Sequence, residues 1–247
     1  MLTSVQNEKV KNWRKLKKKK ERDLHSQFII EGFHLIEEAH KSDWDIVEII
    51  YQQGIECDPA WSTYPPLFEV SDNVMVAITQ TKSPQGVLAV VNKKEIQTHP
   101  IQRALMVDRV QDPGNLGTMI RTADAAGFDT VILGNGTVDL FNDKVIRSTQ
   151  GSLFHLHVFE ADLTKEIDRL QQSGSKIWST GLENARYYNE LDVPEKLVII
   201  VGNEGSGVDP HLIQKADQNV MIPIYGKAES LNVSVAAAIL MYEAVKK

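Results

Sequence analysis

A single cysteine, Cys57, stands in a chain of 247 residues. That excludes an internal disulfide and a cysteine-built metal cluster, and leaves a partly buried structural thiol as its reading. No apolar run approaches the ~18 residues that a membrane-spanning helix needs. A signal core is missing too, because residues 10–20 are dominated by lysine. Histidines are few: His155 and His157 stand two apart on an expected strand and share a face, but no cysteine or third histidine lies near, which argues against a metal. The phosphate loop G-x-x-x-x-G-K-[ST] is absent. Gly202, Gly205 and Gly207 have the wrong spacing for the dinucleotide pattern G-x-G-x-x-G. These absences leave a protein expected in the cytoplasm, with neither metal nor membrane as partner.

What is present is ordinary for a globular protein: 42% hydrophobic and 24% charged residues. The length suits one large or two smaller compact domains. A net charge of −6 argues by itself against a nucleic-acid partner. Its distribution argues otherwise. Residues 1–25 hold nine basic side chains against three acidic ones, a local +6 that leaves −12 on the other 222 residues. Phosphate binding responds to local charge, since salt screens interactions beyond ~8 Å. Lys11, Arg14, Lys15, Lys17, Lys18, Lys19 and Lys20 are therefore candidate nucleic-acid contacts, set against a plain solvated helix face. Trp13 among them fits base stacking or burial beneath its helix.

The texture changes near residue 95. Before it, the pattern predicts helices over about 4–20, 31–42 and 71–81, strands over 45–51 and 86–91, and a loop punctuated by Pro59, Pro65 and Pro66. The polar run 92–99, closed by Pro100, reads as a linker. Beyond it, apolar strands are expected at 104–110, 130–134, 155–159, 176–180, 197–201 and 219–224. Helices are expected at about 116–126, 141–153, 163–173, 209–216 and 231–246. Such alternation implies an α/β fold with a parallel sheet covered on both faces. The expected division is a small α/β domain over 1–95 and a parallel-sheet domain over 102–247.

Open α/β sheets bind ligands in the loops at the carboxyl ends of their strands. Three such loops stand out. One runs from Asp108 to Arg121, with Gly114 and Gly117 to let backbone approach a ligand and Asn115 to donate and accept hydrogen bonds. Arg121 follows Gly117 by one helical turn. The second spans 201–207. The third spans 222–234 and leads into an alanine-rich helix. Any one of them alone fits a mere turn; three at the ends of different strands of one sheet point to a shared pocket.

The residues in these loops are Asn115-Leu-Gly-Thr-Met-Ile-Arg-Thr-Ala123, Gly202-Asn-Glu-Gly-Ser-Gly207 and Ser230-Leu-Asn-Val-Ser-Val-Ala236. In order and spacing they resemble the three motifs of the SpoU (TrmH) branch of the SPOUT methyltransferases, over roughly residues 102–247. The N-terminal part is similar to that family's substrate-binding domain, which resembles a ribosomal large-subunit protein, through Ile30-Glu-Gly32 and Pro84-Gln-Gly86. The resemblance implies a C-terminal trefoil knot, an exception to the rule against threaded chains, and a homodimer. It also implies transfer of a methyl group from S-adenosylmethionine to a ribose 2′-hydroxyl of structured RNA. Gly202, Ile222 and Leu231 match its cofactor positions. Arg121 matches its catalytic arginine, and Asn115, Glu204, Ser230 and Asn232 its other polar motif positions.

Methyl transfer to a ribose oxygen is an in-line displacement, so alignment and charge relief carry much of the catalysis. Arginine ordinarily keeps its charge and makes a poor general base. Arg121 is therefore expected to bind a phosphate or the developing alkoxide, rather than to pair with Asp124 or Asp108. Ribosomal RNA is preferred over transfer RNA as the substrate. Tyr187 and Tyr188 fit contact with RNA or with a partner subunit. Two rival readings stay open: a non-catalytic RNA-binding or ribosome-assembly protein, which has no reason to keep Asn115, Arg121, Glu204 and Asn232 together, and a methyltransferase for base nitrogens.

Overall fold

The computed structural model describes residues 1–56, 61, 66–81, 83–95 and 99–246. Cys57, Pro59, Pro65 and part of the polar run after residue 92 lie outside them. The chain divides into two compact units. The first comprises Met1–Glu95 and Asp139–Phe154; the second comprises Ile96–Val138 and His155–Lys247.

The first unit is built on four strands: β1 (Gln27–Glu31), β2 (Ile46–Gln52), β3 (Leu67–Val70) and β4 (Val87–Asn92). Their order is β1-β4-β2-β3, with β4 antiparallel to both neighbours and β3 parallel to β2. The expected helix over 4–20 is two helices, α1 (Glu8–Lys15) and α2 (Lys19–His25). Arg22 explains the break. Its guanidinium is buried, donates to the carbonyls of Leu16 and Lys17, and pairs with Asp139, so the turn between the helices is pinned where no proline or glycine marks it. Trp13 is 3% exposed, donates to Glu48 at 2.6 Å and packs against Phe68. With Val10 and Leu16 it belongs to the core under α4 (Asp72–Ile78). Burial, not base stacking, is its role.

The expected helix over 31–42 begins later, as α3 (Phe33–Lys41), because Gly32 takes φ +101 and Glu31 ends β1. The pattern missed β1 and β3. The segment Asp139–Phe154 carries α6 (Asp143–Thr149) and a 3-10 turn over Ser152–Phe154. It joins this unit's core through Phe141 on Phe28 (4.5 Å) and Phe154 on Trp44 (5.3 Å).

The second unit is a seven-stranded parallel sheet. Its strands are β5 (Arg103–Val107), β6 (Thr130–Gly134), β7 (His157–Ala161), β8 (Lys176–Thr180), β9 (Arg186–Tyr187), β10 (Leu197–Val201) and β11 (Gln218–Met221), in the order β7-β6-β5-β10-β8-β11-β9. Every residue of β6 and β10 is buried, which is why β10 and, after Thr130, β6 read as apolar runs. On one face, α7 (Leu163–Gln172) and α8 (Pro210–Lys215) build a core with Met106, Ile132, Ile177 and Ile200. α5 (Pro113–Ala125) and α9 (Val233–Val245) pack on each other, and α9 on β10. β7 starts two residues later than expected, so His155 is not a strand neighbour of His157. Its Nδ1 lies 2.8 Å from Asp124, while His157 stacks on His99. Among the described residues no helix is long and apolar enough to cross a membrane.

Candidate active site

The strand order reverses between β5 and β10. The chain leaves β5 towards β6 and β7 on one side, while β10 lies on the other. Such a switch point is where an open parallel sheet leaves a crevice for ligand. The loops after β5 and β10 therefore emerge side by side, and the loop before α9 closes on them.

Side chains from all three meet in one chain of hydrogen bonds. Asp112 caps α5 by accepting from the Asn115 N–H at 2.9 Å, with Pro113 pre-set at the first helical position. The cap leaves the N–H groups of Gln111 and Asp112 aimed outward, and both donate to the Glu204 carboxylate, at 3.1 and 3.0 Å. The Asn115 amide donates to the same carboxylate at 3.1 Å and accepts from the Asn232 amide at 3.0 Å. Asn232 in turn caps α9, taking the Ser234 N–H and hydroxyl on its Oδ1. Partial burial pushes the Glu204 carboxyl up, but the Asp112 N–H, the Asn115 amide and the Gln111 N–H together outweigh it and hold it below the ordinary value. Glu204 is an anion at neutral pH, and three expected polar residues form one unit.

Gly202 is fully enclosed. A Cβ there would lie 2.1 Å from the backbone of Gly207 and Val208, which the Asn203–Gly207 bridge holds in place. Ile222 is half-buried, and Leu231 and Ser230 are exposed. Among the described residues, no protein group hydrogen-bonds to residues 223–231. Their N–H and C=O groups are open to a ligand read by backbone. No cluster of three or more His, Cys, Asp or Glu able to hold a metal occurs among the described residues.

Arg121 is exposed on α5. Neither of the two carboxylates considered for it is its partner: Asp124 is engaged by His155, and Asp108 by Arg109. Sequence reading overlooked Arg109, whose left-handed backbone (φ +56) has no compositional signature. The basic helices are less uniform than their composition. Lys17 donates to the carbonyls of Ala77 and Thr79, and burial pulls its ammonium below the ordinary value. Lys11 pairs with Glu8 and Lys15 bonds Asn12; Arg14, Lys15, Lys18, Lys19 and Lys20 are all exposed. Tyr187 is exposed on β9 and Tyr188 half-buried.

Comparison with known proteins agrees with this geometry. Residues 102–242 match the model of the SpoU rRNA Methylase family, and residues 7–89 that of the MRM3-like substrate binding domain. The chain is 47% identical over 241 residues to the 23S rRNA (guanosine(2553)-2'-O)-methyltransferase RlmP of Bacillus subtilis, covering 98% of this chain and 97% of that one. An rRNA methyltransferase from Sinorhizobium meliloti superposes with a TM-score of 0.89 at 32% identity, covering 98% and 96% of the two chains. Its AdoMet-bound form superposes at 0.88, with the same identity and coverage. With three motif loops joined at the switch point of a parallel sheet, and a family model spanning more than half of its length, the chain belongs to the SpoU rRNA methylase family.

Proposed function

We propose that the protein transfers a methyl group from S-adenosylmethionine to the 2′-hydroxyl of a guanosine ribose in 23S ribosomal RNA, acting in the cytoplasm. The observation that carries the reading is the Glu204–Asn115–Asn232 relay at the switch point, beside a loop whose backbone groups are open. The match to RlmP supports the choice of RNA and nucleotide. Bound at Gly202, Ile222 and Leu231, S-adenosylmethionine supplies an electrophilic methyl on a sulfonium. Glu204, held ionised, locks the first and second loops together, and Asn232 locks the third. The exposed cation of Arg121 holds the RNA phosphate or the charge that develops on the ribose oxygen as its proton leaves. Residues 1–95 serve as the substrate-binding domain, with Arg14, Lys18, Lys19 and Lys20 on phosphates, and residues 102–247 as the methyltransferase domain.

The test is to map 2′-O-methyl positions in RNA from cells lacking the gene. One 2′-O-methylguanosine should disappear from 23S RNA and return with the wild-type gene. A change confined to transfer RNA, or loss of a base methyl instead, would falsify the reading.

The family's trefoil knot and two-fold dimer belong to the same proposal. β10 inserted between β5 and β8 and the tight crossing at Gly202 support the knot. The dimer is supported by α9, which is largely apolar yet leaves Val235 and Tyr242 exposed, as Leu231 is in the loop before it. Light scattering should give twice the chain mass of 27.7 kDa at micromolar concentration; a monomer mass would remove the dimer.

A further inference from the structure

We propose that Arg109 is a positioning residue for methyl transfer, acting through Asn203 and Asp108 on the loop that carries Glu204. The inference rests on reading the three-loop cluster as the methyl-transfer site.

Arg109 occupies a left-handed conformation, φ +56, that a side chain other than glycine keeps only when its surroundings impose it. Here every group of the residue is held. Its N–H donates to the Thr137 hydroxyl at 3.1 Å, which itself donates to the Val107 carbonyl. Its carbonyl accepts from the Asn203 amide at 2.8 Å and from the Gln111 amide at 3.1 Å. Its guanidinium forks onto Asp108, Nε to Oδ1 at 2.9 Å and Nη2 to Oδ2 at 3.0 Å. Asp108 is 5% exposed, and its Oδ2 also accepts the N–H of Asp209, the cap of α8.

The reach to the site is short. Asn203 spends its NH2 on Arg109 and its Oδ1 on the N–H groups of Gly205 and Ser206. It therefore fixes the turn from which Glu204 reaches Gln111, Asp112 and Asn115. Asp108 holds the far side of the same loop through Asp209. Releasing the guanidinium leaves a buried carboxylate without its cation and loosens the Asp108–Asp209 anchor directly. The Asn203 anchor, made to the Arg109 carbonyl, loosens as that backbone loses the fork that fixes it, so Glu204 no longer meets Asn115 at a fixed distance. Misplacement of about 1 Å is enough to slow a reaction ~100-fold.

Three variants test this: Arg109→Gly, which keeps the left-handed backbone and removes the cation; Asp108→Asn, which keeps an acceptor for Asp209; and the double variant. Each is measured by single-turnover methylation at saturating cofactor, calorimetric binding of S-adenosylmethionine and thermal melting. The expected result is a rate about 10- to 100-fold lower in each single variant, measured well below its melting transition. Arg109→Gly melts lower because Asp108 loses its cation, and the double variant regains part of that loss. Its rate is no slower than that of the slower single variant, since the two residues act as a unit. A wild-type rate in Arg109→Gly, additive losses in the double variant, or rates that rise and fall with melting temperature across the three variants overturn the inference. A wild-type protein that neither binds S-adenosylmethionine nor methylates RNA overturns the reading of the site, and the inference with it.

Discussion

Arg121→Ala is expected to lower single-turnover methylation about 100- to 1000-fold, the usual cost of removing one charge-stabilising donor from a transition state. RNA affinity should fall far less, by no more than one phosphate contact, because the interaction is proposed to act mainly on the charge that develops in the transition state. The fold should tolerate the change, since the side chain is exposed and neither nearby carboxylate depends on it: His155 has Asp124 and Arg109 has Asp108. Surface substitutions of this kind usually stay within ~0.5 kcal/mol. The opposite pattern is expected when Lys18, Lys19 and Lys20 become glutamate. RNA binding should weaken, and the slope of log affinity against log salt should flatten by roughly 0.7–0.9 for each phosphate no longer neutralised, with cofactor binding intact. Deleting residues 1–25 is the wrong tool for this contrast, because Val10, Trp13 and Leu16 are core. A normal methylation rate in Arg121→Ala would remove the central catalytic assignment.

The second large effect concerns two glycines in one loop. Gly202→Ala places a methyl 2.1 Å from the Gly207 carbonyl carbon and the Val208 nitrogen. These are backbone atoms paired through the Asn203–Gly207 bridge, so no side chain can swing aside. Either the bridge opens or β10 shifts, and overpacking of this sort costs about 1–3 kcal/mol or more. The turn that carries Glu204 is displaced in both cases. Binding of S-adenosylmethionine should fall below calorimetric detection, and the melting temperature should drop by several degrees (about 2–4 °C per kcal/mol at this size). Gly205→Ala is the control: its nearest neighbour would be Asn203 Oδ1 at 3.6 Å, an ordinary van der Waals distance, so binding should persist. Equal behaviour of the two variants would mean that the close crossing at Gly202 does not shape the pocket.

These contrasts show which kinds of information the chain displays openly. The parallel sheet was readable because β6 and β10 are buried on both faces and so, Thr130 apart, carry no polar side chain. Asn115, Glu204 and Asn232 stood out as a set through the motif resemblance alone. Their positions, in the first turn of α5, in the turn after β10 and at the cap of α9, gave no sign of the hydrogen bonds that join them. β1 and β3 were not readable, since five and four residues beside a basic helix and a proline-rich loop carry too short a pattern. Lys17 and Arg22 were hidden for a different reason. Composition gives their charge, but their partners, Thr79 and Asp139, are 62 and 117 residues away. Arg109 was hidden because a left-handed arginine depends on the groups that hold it, not on its neighbours in the chain.

The segment Asp139–Phe154 changes what counts as an inheritable module. A recombination that exchanged everything before residue 96 would carry off Phe28, Trp44 and Arg22 but leave behind Phe141, Phe154 and Asp139, the groups that complete their packing. The donor sheet would receive a foreign α6, and the orphaned arginine would sit buried without its carboxylate, a destabilisation of about 3–5 kcal/mol in comparable cases. A chimaera that keeps its first unit intact must therefore transplant two stretches of gene together, and ancestors that traded this unit as one contiguous cassette would have had to re-evolve sixteen residues inside the other.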